Sequence, residues 1–152
     1  MIVYRLSKSV FSKDLSGKGA ERAGGRWNSK GVAMVYSSSS KALCLAELAV
    51  HLPLGLIPKD YVMLSVNIPD DIGILEVSEI QLPKDWDAIP HSESTQKIGD
   101  EFVKKGQFLI FKAPSVVAKG DHNFLINPLH KDIHKLRIVR SEPFKFDPRL
   151  FL

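Results

Sequence analysis

The chain has 152 residues, the size of one domain, and its hydrophobic share of 44% is enough for a buried core. Its net charge of +4 favours an anionic partner, but the basic residues are dispersed, with Lys104-Lys105 the one adjacent pair, which excludes a polybasic arm tracking a phosphate backbone. The single cysteine excludes an internal disulfide and a cysteine-rich metal site, and with no apolar run of membrane-spanning length and no basic-apolar leader a cytoplasmic protein is expected.

Taken in order, Ile2 to Leu6 reads as a short strand, and Ser16 to Gly25, with Gly17, Gly19, Gly24 and Gly25, as a glycine-punctuated loop. Val32 to Tyr36 is the next predicted strand. Ser37 to Ser40 then offers an N-cap for a helix running to about Leu52, stopped by Pro53. That helix is apolar on nearly every side except at Lys41, Glu47 and His51, which predicts packing between layers. Cys44 lies among apolar neighbours and is expected to be a buried, inert thiol.

Tyr61 to Ile68 alternates with period two, placing Val62, Leu64, Val66 and Ile68 on one face of a half-buried strand, and Gly73 to Val77 is a further strand candidate. A second helix is predicted over Glu93 to Lys105, with Ile98 and Phe102 on its apolar side and Gly106 as its C-terminal cap. Phe108 to Phe111, Val116 to Ala118 and Leu136 to Val139 are the remaining predicted strands. The C-terminal Phe144 to Leu152 is rich in apolar groups for a terminus and reads as a tail tied down on the core. Strands outnumber helices without alternating with them, so the expected class is α+β, in a single domain spanning the whole chain.

One series stands out. Arg26 follows Gly24-Gly25 and precedes Trp27-Asn28, Tyr36 ends an apolar run, and Glu47 is the lone carboxylate in Ala42 to Val50. A carboxylate in such a segment asks for a partner, for which Arg26 is one candidate. Singly, each of these residues, like Arg5 in its strand, Ser115 after Pro114 and Asn127 before Pro128, has an ordinary structural role in packing, turns or ion pairs. Together they supply the groups needed to cleave the bond between a ribose and a positively charged nicotinamide. A buried carboxylate stabilises the oxocarbenium-like cation, arginines hold the pyrophosphate, an aromatic face meets the nicotinamide, and small polar groups orient the ribose.

These residues carry a family resemblance. Tyr4-Arg5-Leu6, Gly25-Arg26-Trp27-Asn28 with Gly31, Tyr36-Ser37, Ala46-Glu47, Pro114-Ser115, Asn127-Pro128 and Phe146-Asp147-Pro148-Arg149 run in the order seen in the RES-domain toxins of bacterial RES–Xre toxin–antitoxin pairs. The chain resembles that family from end to end, with no departure at the key positions. The resemblance implies an ADP-ribosyltransferase-like fold of mixed sheets with flanking helices, NAD+ as substrate with no resident cofactor, and an Xre-type antitoxin that occludes the site. Carried over by position, Glu47, Arg26 and Tyr36 are the expected catalytic residues, and Arg5, Arg26, Tyr36, Ser115 and Asn127 the expected substrate-binding ones.

Members of this family resemble NAD glycohydrolases, NAD phosphorylases, which use inorganic phosphate as co-substrate, or protein ADP-ribosyltransferases. The sequence leaves the acceptor open among water, phosphate and a protein side chain. A nucleic-acid-acting toxin or binding module ranks lower because the charge is dispersed, and a structural protein would need Glu47 and both arginines to form a purely structural network. His122, His130 and His134 match no metal-binding spacing, so no metal site is expected.

Overall fold

The structure, a computed structural model, describes residues 1–151. Among these residues seven strands form one sheet: β1 (Ile2–Lys8), β2 (Val35–Ser38), β3 (Tyr61–Asn67), β4 (Ile74–Glu76), β5 (Ile110–Pro114), β6 (His122–Ile126) and β7 (Arg137–Phe144). Their order is β4-β5-β6-β2-β1-β3-β7, antiparallel throughout except where β4 joins β5. Helices α1 (Lys18–Ala23), α2 (Lys41–Ala49) and α3 (Glu93–Lys105) flank it, giving the expected α+β class with one continuous mixed sheet. No helix among the described residues is long and apolar enough to cross a membrane.

Because strand side chains alternate between faces, the sheet carries two cores. Val3, Val35, Val66, Ile110, Phe124 and Ile126 pack on one face. Their neighbours Phe111, Ala113 and Leu125 point to the other, where Met34, Trp27 and Phe102 of α3 cover them. The β1–β2 junction is the weak seam of the sheet. These strands share only the pair Tyr4↔Ser38, whereas β1 and β3 pair from Ile2↔Asn67 to Lys8↔Tyr61. Beyond that pair a side chain takes over from the ladder, as Arg5 Nη1 donates to the Tyr36 carbonyl at 2.9 Å.

The α3 helix occupies its predicted span, with Gly106 in the left-handed region (φ 59°) as its cap. Several expectations are corrected. The predicted loop from Ser16 to Gly25 contains α1, its ends marked by Gly17 and Gly24, both at positive φ. The second strand is displaced to Val35–Ser38 because Ser37 and Ser38 satisfy their hydroxyls across the sheet, on the Phe124 carbonyl (2.6 Å) and on Asn123 Oδ1 (2.7 Å). Only Ser40 caps α2, which ends at Ala49, short of Leu52. Nor is α2 sandwiched between layers: Leu43 and Cys44 are buried, while the rest of the helix is half-buried or exposed. Val116 to Ala118 is a turn, not a strand, closed by the Ala118 amide on Ser115 Oγ at 3.0 Å. Strand β6 was not predicted, β5 is displaced from the expected Phe108 to Phe111 to Ile110–Pro114, and β7 extends further than expected.

The tail folds back as anticipated, Phe146 packing edge-on against Tyr61 (5.5 Å between ring centres) and Phe151 against Phe146 (5.7 Å); Leu152 lies outside the described residues.

One close approach fixes how α3 meets the loop after α1. A Cβ added at Gly99 would fall 1.6 Å from the Trp27 carbonyl oxygen, a backbone atom that cannot step aside. In an open helix interior Gly→Ala gains up to about 1 kcal/mol; here Gly99→Ala is expected to cost about 3 kcal/mol in equilibrium urea unfolding. A stabilised variant would show that the loop does not seat on α3 this way.

Candidate active site

Helix α2 is aimed at the sheet by its first turn. Ser40 Oγ accepts from the Leu43 amide at 3.0 Å, Leu43 and Cys44 are buried, and the Cys44 thiol donates to the Tyr4 carbonyl at 2.9 Å. Burial pushes that thiol's pKa up to about 11, so it is an inert, protonated anchor. Glu47 lies three and four residues beyond these anchors, on the same side of the helix.

The Glu47 carboxylate is held from behind by two strands. Its Oε1 accepts from Ser115 Oγ at 2.8 Å and from Asn123 Nδ2 at 2.6 Å. Ser115, fully buried, follows the end of β5, and Asn123 lies on β6 between its cross-strand partners Ala113 and Ser38. Glu47 Oε2 takes no hydrogen bond from the described residues. The half-buried carboxylate therefore presents one open oxygen.

Arg26 and Tyr36 come from the loop after α1 and from β2. The Gly25 amide donates to the Asn28 carbonyl at 2.9 Å, closing the loop so tightly that a Cβ on Gly25 would lie 2.6 Å from Tyr36 Oη. Asn28 is fully buried and donates to the Ala20 (2.8 Å) and Val32 (2.9 Å) carbonyls; Gln96 of α3 supports the loop through the Gly25 and Asn28 carbonyls. Trp27 stands edge-on to Phe111, 5.2 Å between ring centres.

Arg26 emerges from this platform. Its Nη1 donates to the Trp86 carbonyl at 2.8 Å and the Ala88 carbonyl at 3.0 Å. Burial lowers the guanidinium pKa from its ordinary value, while Glu47 and Asp87 push it back up, so the arginine feels the Glu47 field without a direct ion pair.

The Tyr36 hydroxyl is fully committed, donating to Asn28 Oδ1 (2.7 Å) and accepting from the Trp27 amide (3.1 Å). Burial raises this phenol far above its usual range, which leaves it neutral and structural. Tyr36→Phe strands both partners, and a loss of about 2 kcal/mol is expected in urea unfolding; an unchanged midpoint would remove the hydroxyl from the loop's support.

The RES domain profile matches residues 2–147, a span that holds every one of these side chains. The chain belongs to the RES domain family. Among its relatives are the Prs ADP-ribosylating toxin of Sphingobium sp. (strain YBL2), 36% identical over 95% of this chain and 91% of that protein, and Toxin Res of Photorhabdus laumondii, 35% identical over 99% and 97%. The fold is that of a chain in the crystal structure of the M. tuberculosis MbcT–MbcA toxin–antitoxin complex, with a TM-score of 0.74 at 21% identity over 99% of this chain and 86% of that one.

Of the residues expected to act in this RES domain, the structure gathers Arg26, Tyr36, Glu47 and Ser115. The direct partners of Glu47 are Ser115 and Asn123, not Arg26. Arg5 sits behind the group, bonded to the Tyr36 backbone, with its Nε buried and without a partner among the described residues; burial lowers its pKa, opposed by Asp14. Asn127 stands apart, four residues or about 13 Å along the strand from Asn123. Its side chain donates to the Val103 carbonyl (3.2 Å) and accepts from the Leu129 amide (3.0 Å), joining the end of β6 to α3. His130 Nδ1 accepts from the Asp132 amide at 3.1 Å.

Sequence reasoning missed Asn123 and Ser38 and gave Asn28 no role beyond its place in the Gly25-Arg26-Trp27-Asn28 motif. A lone asparagine in an unrecognised strand gives no signal. Ser38 could have been found had the serine run been tested as strand as well as cap.

Proposed function

We propose that this RES protein is a cytoplasmic toxin that cleaves NAD+ between nicotinamide and ribose. The observation that carries the reading is Glu47: a half-buried carboxylate with one oxygen held by Ser115 and Asn123 and the other open, in the field of an arginine clamped on backbone carbonyls. As the glycosidic C–N bond breaks, its electron pair returns to the pyridinium nitrogen and neutral nicotinamide leaves. The ribosyl centre becomes cationic, and Glu47 stabilises it while Oε2 accepts a hydrogen bond from a ribose hydroxyl. The acceptor then forms the new bond at that carbon and loses its proton.

The other residues divide the remaining work. With Nη1 engaged, Arg26 has Nη2 and Nε left to meet the pyrophosphate. Tyr36, its hydroxyl occupied, offers its ring to the nicotinamide. Ser115 acts through Glu47, and Arg5 ties β1 to β2 beneath the site. In this reading NAD+ is a substrate and the chemistry calls for no metal.

Water or inorganic phosphate as acceptor gives small products; a protein acceptor makes the same residues a protein ADP-ribosyltransferase, a second reading favoured by the name of the Sphingobium relative, Prs ADP-ribosylating toxin. An Xre-type antitoxin that occludes the site is part of the proposal, since unchecked NAD+ loss would kill the host, and the MbcT–MbcA structure is a toxin–antitoxin complex.

NMR of NAD+ incubated with the purified protein, with and without phosphate, tests this. Released nicotinamide supports cleavage, and the companion product distinguishes ADP-ribose from its phosphorylated form. Transfer of labelled ADP-ribose to lysate protein, without small products, would select the transferase reading. No release and no labelling would reject both.

A further inference from the structure

Resting on the proposed NAD+ cleavage, we propose that Asn123 is a positioning residue that fixes the plane of the Glu47 carboxylate and so the direction in which its open oxygen faces the substrate. The argument begins with orientation. A carboxylate only accepts, so the Asn123 amide must turn its nitrogen to Glu47 Oε1 (2.6 Å) and its oxygen away. That oxygen is met by Ser38 Oγ at 2.7 Å, whose hydroxyl donates to it. The amide is thus held at both ends: a flip would set its oxygen against Glu47 Oε1 and would lose the bond donated by Ser38.

Ser115 is fixed in the same manner. Its oxygen accepts from the Ala118 amide at 3.0 Å, which directs its proton to Glu47 Oε1 at 2.8 Å. Two donors, each oriented by a third group, converge on a single oxygen. Oε1 is saturated, the carboxylate cannot rotate without losing both bonds, and Oε2 is kept for the ribose. Asn123 contributes what Ser115 alone cannot. One hydrogen bond leaves the carboxylate free to swing about it; a second, from the neighbouring strand, fixes its plane.

Cross-strand geometry explains why the arrangement is rigid. Ser38 and Asn123 are directly paired on β2 and β6, and Asn123 and Ala113 on β6 and β5, so the amide sits on three contiguous strands in the sheet interior. Ala113 is fully buried and leaves room for the asparagine side chain.

The test ranks three variants by steady-state nicotinamide release, or by ADP-ribose labelling if that is the activity. Asn123→Ala is expected to lower kcat about tenfold to a hundredfold with KM changed by less than about threefold, since near-attack geometry is lost and binding is not. Ser38→Ala, which frees only the far end of the amide, should lose less. Asn123→Asp should lose the most, because it sets a carboxylate oxygen against Glu47. A packing role would give the opposite order, the isosteric Asn123→Asp being mildest, and would overturn the proposal. Thermal unfolding of each variant separates these effects from misfolding.

A readout without turnover separates this proposal from the reaction it rests on. The Asn123 side-chain amide, identified in 15N-correlated NMR by its loss in Asn123→Ala, is expected to move in Glu47→Gln and in Ser38→Ala. A resonance unaffected by Glu47→Gln overturns the positioning role even if NAD+ is cleaved. If the wild type neither releases nicotinamide nor labels protein, the reaction reading fails, and the amide shift still decides whether Asn123 holds Glu47.

Discussion

Glu47→Gln is expected to lower kcat for nicotinamide release by about 10³-fold, while the protein unfolds within about 1 kcal/mol of wild type. The geometry makes this variant unusually clean. A glutamine can keep its carbonyl oxygen where Oε1 lies, still accepting from Ser115 and Asn123, so the support from β5 and β6 survives. Its amide nitrogen then takes the place of Oε2, turning an anionic acceptor into a neutral donor at the point where positive charge develops. A unit charge about 4 Å from that centre is worth about 4 kcal/mol at an effective dielectric of 20, which corresponds to about 10³-fold in rate. Nicotinamide release followed by NMR, beside a thermal melt, gives the answer. A folded Glu47→Gln protein turning over at the wild-type rate would exclude the role assigned to this carboxylate.

Glu47, Arg26 and Tyr36 were legible in the sequence because each breaks a local pattern. Glu47 is the one acid in an apolar helix, Arg26 follows two glycines, and Tyr36 ends the apolar run that begins at Val32. Asn123 breaks no pattern. His122 to Ile126 does not alternate, and the asparagine acquires meaning only when its partner, 85 residues away on Ser38, is known.

The same contrast holds for the helices. α3 carries its own signals in Ile98, Phe102 and Gly106. α1, at six residues, is too short to be stable alone and is held by tertiary bonds, with Asn28 donating to the Ala20 carbonyl and the Gly31 amide to that of Glu21. Asn127 shows the converse case. Its position beside Pro128 could be carried over from the family pattern, yet here its polar groups are spent on Val103 and Leu129.

Arg26→Lys is the second large effect expected, a fall of at least about a hundredfold in kcat/KM. Charge is conserved, so the variant isolates geometry. The guanidinium commits Nη1 to the Trp86 and Ala88 carbonyls and retains Nη2 and Nε on the same rigid plane for a phosphate. An ammonium is a single point. Drawn to the two carbonyls, it withdraws from the substrate; drawn to the substrate, it leaves them unpaired.

The Trp86–Ala88 segment that seats Arg26 also makes a surface ion pair, Asp87 with Lys119 at 3.8 Å. That surface ion pair is worth at most about 1 kcal/mol. The seat of Arg26 must therefore supply most of the order. Folding should suffer little, by about 1 kcal/mol, because lysine can still satisfy one carbonyl. Steady-state kinetics with a parallel urea titration distinguish the cases: unchanged kcat/KM in a folded Arg26→Lys protein would remove Arg26 from phosphate binding, whereas a rise in KM alone would confine it to uniform substrate binding.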